Sequence, residues 1–211
     1  VNSGVIEVLG SWTSPAGAIW QFGTGNTVIF SGYSNSILTL AEPSSSFGNL
    51  LIDKTTGQVL TAVEQDTYLN LNGGLSVGAS SGFFQHGGTT IVSGALDLDG
   101  TFQTVQTCTV NLGSLQLDGT MELGAGGVNV GAGFAQDPAG VLNLNGGSMN
   151  LNAAYSGAMY AFSGQVNLNS GTLQITHNGI QFPSTSQISF GGGTLKVGWC
   201  LTASIPNSFQ L

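Results

Sequence analysis

Arginine is absent from this chain, and two lysines, Lys54 and Lys196, stand against ten acidic residues for a net charge of −8. Such a surface repels a phosphate backbone instead of neutralising it, so nucleic acid is excluded as a partner. Charged residues of either sign make up 6% of the sequence, against roughly 25% in an ordinary globular domain. Disorder does not account for this, because 41% of the residues are hydrophobic. Long apolar runs are also missing. Gly, Asn, Ser or Thr interrupts each within a few residues, so neither a signal peptide, a transmembrane helix nor membrane insertion is expected. The alternating runs reach only about half the roughly 9–11 residues of a membrane barrel strand. Two cysteines, Cys108 and Cys200, allow at most one internal disulfide and make no disulfide scaffold.

What the chain has instead is glycine, 34 residues of it, punctuating a repeated unit Gly-x-Φ-x-Φ with Φ aliphatic. The unit runs from Gly94 to Leu98, Gly119 to Leu123, Gly140 to Leu144, Gly147 to Leu151, Gly164 to Leu168, Gly171 to Ile175 and Gly193 to Val197. Alternation with period two over so few residues predicts short, half-buried strands. Spacing then orders them. Leu142 to Met149 and Val166 to Leu173 are steps of seven, while Met121, Leu142, Val166 and Ile188 follow one another by 21 to 24. A third segment keeps pace through aromatics at Phe134, Tyr160 and Phe162, Phe182, and Phe209. Two closely linked strands and one reached by a longer arm, recurring at fixed period, predict an all-β, single-stranded β-solenoid (β-helix). Its expected dimensions are about nine coils of roughly 22–24 residues, with three short strands per coil. The whole chain, 1–211, reads as a single domain, less regular in 1–66 and regular in 67–211, a segment of a longer array or a stacking subunit. Gln58 to Leu71 lacks Gly and admits a weak helix, but its Val, Thr and Tyr favour strands.

Few residues offer chemistry. Asp97, Asp99, Asp118 and Glu122 form the one acidic cluster: Leu96 and Leu98 face inward, which turns Asp97 and Asp99 outward, and Asp118 and Glu122 follow about one coil later. Stacked outward carboxylates suit a hard cation such as calcium or a glycan, repel one another enough to raise a pKa, or simply solvate the surface. No other cofactor and no firm metal site is expected. Asp99-Gly100 and Asp118-Gly119 are also ordinary turn dipeptides. "GASSG" (78–82) has the letters of a nucleophile elbow but no helical pattern after it. Outward Asn143, Asn150 and Asn167 suggest a flat amide face for sugar or protein, or plain solubility without charge; Asn145 and Asn169 suit left-handed corners. Cys108 and Cys200 stand about four coils apart, roughly 19 Å at ~4.8 Å per strand, which is too far for an internal bridge and leaves them buried and free or bridging subunits.

The stretches "SFGNLLIDKTTGQVL" (46–60), "LNLNGGLSV" (69–77) and "SGALDLDGTF" (93–102) resemble the solenoid repeat regions of large secreted bacterial surface proteins, adhesin-like or fibre- and sheath-forming. That resemblance implies an extracellular or cell-surface location and an adhesive or fibre-forming role, with no catalytic residue. The competing enzyme class is the polysaccharide lyases and hydrolases built on β-helices. A lyase of that kind needs an Arg or Lys base, and the two lysines lie near opposite ends of the chain. The opening "SGVIEVLGSWTS" resembles "GGTLKVGWCLTAS" near the end, placing Glu7 opposite Lys196 as candidate stacking ends. The expected partners are therefore the chain itself, head to tail or laterally, or flanking repeats, and glycan or cell-surface material. An ice- or glycan-binding module would show a flat, regularly spaced Thr or Asn array. The Thr-rich run "TFQTVQTCT" (101–109) is too irregular to be read as one.

Overall fold

The computed structural model describes residues 3–55, 58–63, 68–154, 159–198, 201–203 and 209–210; for 58–59, 61–63, 201–203 and 209–210 the description is of the backbone alone. Throughout these residues short strands alternate outward polar and inward apolar side chains, as in Val141–Leu144 and Ser148–Leu151. An isolated strand of four residues leaves its backbone unpaired, and here each strand finds its partner one turn of the chain away. All strand pairings are parallel.

The stacked strands make three sides. Side 1 is a ten-stranded sheet from Trp12–Ser14 to Phe209–Gln210. Side 2 starts at Ser46–Phe47 and Tyr68–Leu71, passes through 89–92 and 109–112, and continues through Gly127–Val130 and Ser148–Leu151 to Thr194–Val197. Side 3 starts at Val5–Val8, passes through Asn49–Lys54, 95–98 and Phe134–Gln136, and ends at Leu201–Ala203. Eight strand segments stand on side 2 and ten on side 1, a β-solenoid of about eight turns, in keeping with the roughly nine that the sequence period gives. The run with helical potential is the strand pair Gln58–Val63 and Tyr68–Leu71.

Turn length varies more than the repeat implies. Side-1 register partners are 26 residues apart at Trp12 and Leu38, 24 at Leu144 and Leu168, and 19 at both Gln85–Thr104 and Thr104–Leu123. The short turns have no arm. Strands Thr89–Leu98 and Thr109–Leu117 bend from side 2 to side 3 without a break, and the register slips between Val92 and Ala95.

The core is a set of ladders. Leu98, Phe102, Met121, Leu123, Leu142, Leu144 and Leu168 are fully buried, and each such side chain contributes about 1.5–3 kcal/mol by leaving water. On side 3, Phe162 lies 4.6 Å from Phe134 and 5.7 Å from Phe182 by ring centroids. The aromatic series ends there, because Phe209 pairs with Ile188 on side 1. Trp12, Phe22 and Phe47 pack at the first turns, with Trp12 and Phe47 edge to face at 5.5 Å. Beneath them no described residue covers the stack. Ile6 occupies the same inward register as Val28, yet Ile6 is 38% exposed and Val28 1%.

Candidate functional site

The acidic residues gather at the corner leading from side 3 to side 1. There the chain turns with Asp-Gly at 99–100 and again at 118–119, each turn hanging on the one before: Asp99 N–H donates to the Val77 carbonyl at 3.0 Å and Asp118 N–H to that of Leu98 at 3.0 Å. Glycine follows because the turns stack backbone on backbone. A Cβ at Gly119 would stand 2.1 Å from the Gly100 carbonyl oxygen and 2.4 Å from that of Asp99. One turn later Asp137 N–H donates to the Leu117 carbonyl at 3.1 Å, extending the acidic series.

This stacking brings carboxylate oxygens of Asp97, Asp99 and Asp118 within 4.8 Å of one another, with Asp97 and Asp99 exposed and Asp118 half-buried. Partial burial, and then the charges of Asp99 and Asp118, push the Asp97 carboxyl above its ordinary value. Gln116 Nε2 donates to Asp118 Oδ1 at 2.6 Å and, at 3.4 Å, to Asp137 Oδ1. Such a cluster can present oxygens to a hard cation. Glu122 is not part of it: it stands on side 1 between Gln103 and Asn143. An open groove of about 410 Å³ runs along side 3 past Asn49, Leu51, Ser76 and Ala95 to Asp97, reaching one of the four acids named from the sequence.

The outward amides divide between two sides. Asn143 and Asn167 are register partners on side 1, where Asn167 Nδ2 donates to Asn143 Oδ1 at 2.6 Å and Ser189 Oγ donates to Asn167 Oδ1 at 2.7 Å. Asn150 belongs to side 2, in the row Asn111, Asn129, Asn150, Gln174 and Lys196. Here too the rungs are bonded, Asn150 to Asn129 and Asn129 to Asn111, each at 2.9 Å. Two residues before each amide, a second row runs Thr109, Gly127, Ser148, Thr172 and Thr194. Side 2 thus carries a regular hydroxyl-and-amide array that the Thr-rich run 101–109 did not reveal. Its signal was the recurrence of [Thr/Ser]-x-[Asn/Gln] at three side-2 strands, Thr109 to Asn111, Ser148 to Asn150 and Thr172 to Gln174, with Gly127 in place of the hydroxyl in the strand between the first two. The corner amides Asn145 and Asn169 also bond to each other, at 2.7 Å. Neither is left-handed; among the described residues only glycines have positive φ, Gly146 at 137° among them.

Glu7 and Lys196 do lie at opposite ends, but they terminate different sides. Glu7 begins the side-3 row that continues through Ile29 and Leu51, and it accepts from Ser31 Oγ at 2.7 Å; Lys196 closes the side-2 amide row. A joint that keeps each side continuous would not bring them together. Cys108 is free and buried at a turn, its thiol pushed up to about 11 by burial, which leaves it inert as a nucleophile; Cys200 lies outside the described residues. In "GASSG", Ser81 is buried, its Oγ accepting from the Lys54 N–H at 2.7 Å and donating to the Lys54 carbonyl at 3.3 Å. Lys54 is buried as well. Its ammonium donates to the Ser31 carbonyl at 2.8 Å and to Ser36 Oγ at 2.6 Å, and desolvation pulls its pKa down. Among the described residues no helix is long and apolar enough to cross a membrane.

Stacked parallel turns with neutral outer ladders define the class: a β-solenoid repeat protein. Comparison of the chain with protein-family models, curated proteins and solved structures gave no match.

Proposed function

We propose that this chain is a structural or adhesive protein of the cell exterior, a segment or subunit of a surface fibre, sheath or adhesin that works by β-stacking and by its flat polar faces, without catalysis. The observation that carries this reading is the uncovered first turn. Ile6 faces into the core and is more than a third exposed, and Val5, Leu9 and Ile19 of the same first turn are open to water. An apolar end with free strand edges is a template for another turn of the same kind, supplied by flanking repeats or by a second copy stacked head to tail. Light scattering across a concentration series, followed by electron microscopy, tests the self-stacking part. Growth into linear assemblies that Ile6→Lys suppresses supports it, whereas a strict monomer at high concentration counts against it.

A second reading, a carbohydrate-active or glycan-binding β-helix using the acidic corner and calcium, has the convergence of Asp97, Asp99 and Asp118 in its favour. It requires a polysaccharide-cleaving or glycan-binding activity that Asp99→Asn abolishes.

A further inference from the structure

We infer that the hydroxyl-and-amide array of side 2, over the turns from Thr109 to Gln174, is a docking face for an extended, uncharged polysaccharide. The inference rests on the adhesive half of the reading above and is independent of end-to-end association.

Composition eliminates the other partner classes first. No charged side chain stands in either row between Thr109 and Gln174, so a polyanion finds no cations and a polycation no acids. A protein interface centres on aromatic, Met or Arg side chains in a desolvated patch, and these rows hold only Thr, Ser, Gly, Asn and Gln. A lipid surface needs an apolar or basic face. A neutral ligand rich in hydroxyl groups remains.

The array is also built in advance. Asn129 accepts from Asn150 and donates to Asn111, which fixes the orientation of its amide. An amide has two N–H donors and two acceptor lone pairs, so Asn129 keeps one donor and one lone pair for a ligand. Groups already held in place cost less entropy on binding. The rows repeat at the strand spacing of ~4.8 Å, about the advance of one sugar ring in an extended chain. A repeating ligand laid along the axis therefore meets the same contacts at every turn, and its affinity rises with the number of turns engaged.

The test is affinity electrophoresis of the full chain in mixed-linkage β-glucan, galactomannan and dextran, with co-sedimentation on cellulose and chitin. Polygalacturonate and phosphatidylserine vesicles serve as charged controls. The expected result is retention by at least one neutral polymer, increasing with polymer length, and absent on both controls. Asn150→Ala should weaken retention about tenfold, the value of one or two lost hydrogen bonds. Thr172→Lys puts a cation in the hydroxyl row beside Ser148 and leaves the ladder bonds in place, so its loss of retention reads the face even where Asn150→Ala loosens a turn. Gln187→Lys, exposed on side 1, should bind like the parent. The inference is overturned by no retention on any neutral polymer, by equal retention on polygalacturonate or vesicles, by retention that neither side-2 variant lowers, or by slowed ice growth without polysaccharide binding. Sizing in the same buffer shows whether self-stacking fails separately.

Discussion

At the level of single residues, Lys54 carries a desolvation cost: its ammonium rests inside the stack on a carbonyl and a hydroxyl, neither of them charged. Its pKa is lowered in the folded state, so the unfolded chain holds the proton more tightly. Stability should therefore rise with pH through the window from the lowered folded value up to the ordinary 10.5, and level off above it. Denaturant melts across that window should show the rise in the parent relative to Lys54→Met, a difference in which the raised Cys108 thiol, common to both, cancels. Asp97 shifts the other way. Its folded pKa is raised, so its contribution is most favourable at acid pH and is lost as pH climbs from the ordinary 3.8 through the raised value. Asp97→Asn is expected to raise the melting temperature at neutral pH by the equivalent of at most about 1 kcal/mol, since the cluster is exposed. The gain should shrink in high salt and disappear below pH 3.8, and thermal melts under the three conditions measure it. Both residues were legible by parity. Leu50, Ile52 and Lys54 alternate on the inward face of one strand, and composition alone, which treats lysine as a surface residue, hides that. Asn145 and Asn169 misled because asparagine tolerates both a left-handed corner and a ladder, and only the backbone distinguishes them.

At the level of elements, close stacking makes some glycines irreplaceable and others not. Gly119→Ala would drive a Cβ into the corner above it and should cost at least about 2 kcal/mol, whereas Gly10→Ala, with nothing within 4 Å, should melt like the parent. Differential scanning calorimetry of the pair separates steric exclusion from glycine content. Phe162→Ala should cost about 3–5 kcal/mol, because it opens a cavity between Phe134 and Phe182. The step of seven from Leu142 to Met149 correctly gave the paired strands of sides 1 and 2 in the later turns, although the equivalent step is eight from Phe102 to Val110. The third side was harder to read. Its connection from side 2 shrinks to a bend within Thr89–Leu98 and lengthens in later turns, so aromatics spaced at a plausible interval were grouped together although Phe209 stacks on side 1. Glu122 was separated from the aspartates by the corner from side 3 to side 1, which sequence distance does not show.

For the molecule as a whole, the strand pairing joins each turn to its neighbours, so the unit of tolerance is a turn in register. Val141 and Gln165 are register partners, and deleting residues 141–164 sets one in place of the other. That shortened chain should keep its strand signal by circular dichroism and still melt cooperatively, while deleting 141–152 moves side-1 residues to side 2 and should abolish folding. Native protein should resist trypsin everywhere except after Lys196, losing only the fifteen residues beyond it, because Lys54 is buried in a paired strand; mass spectrometry of the digest reads this directly. The amide ladders add a compass to the stack. On both sides and at the corner, the later turn donates and the earlier turn accepts: Asn150 to Asn129, Asn167 to Asn143, Asn169 to Asn145. Side-chain dipoles laid end to end in one sense give the molecule a north and a south. A second copy that continued the parallel pairing head to tail would keep this sense, so a filament grown that way points one way along its length.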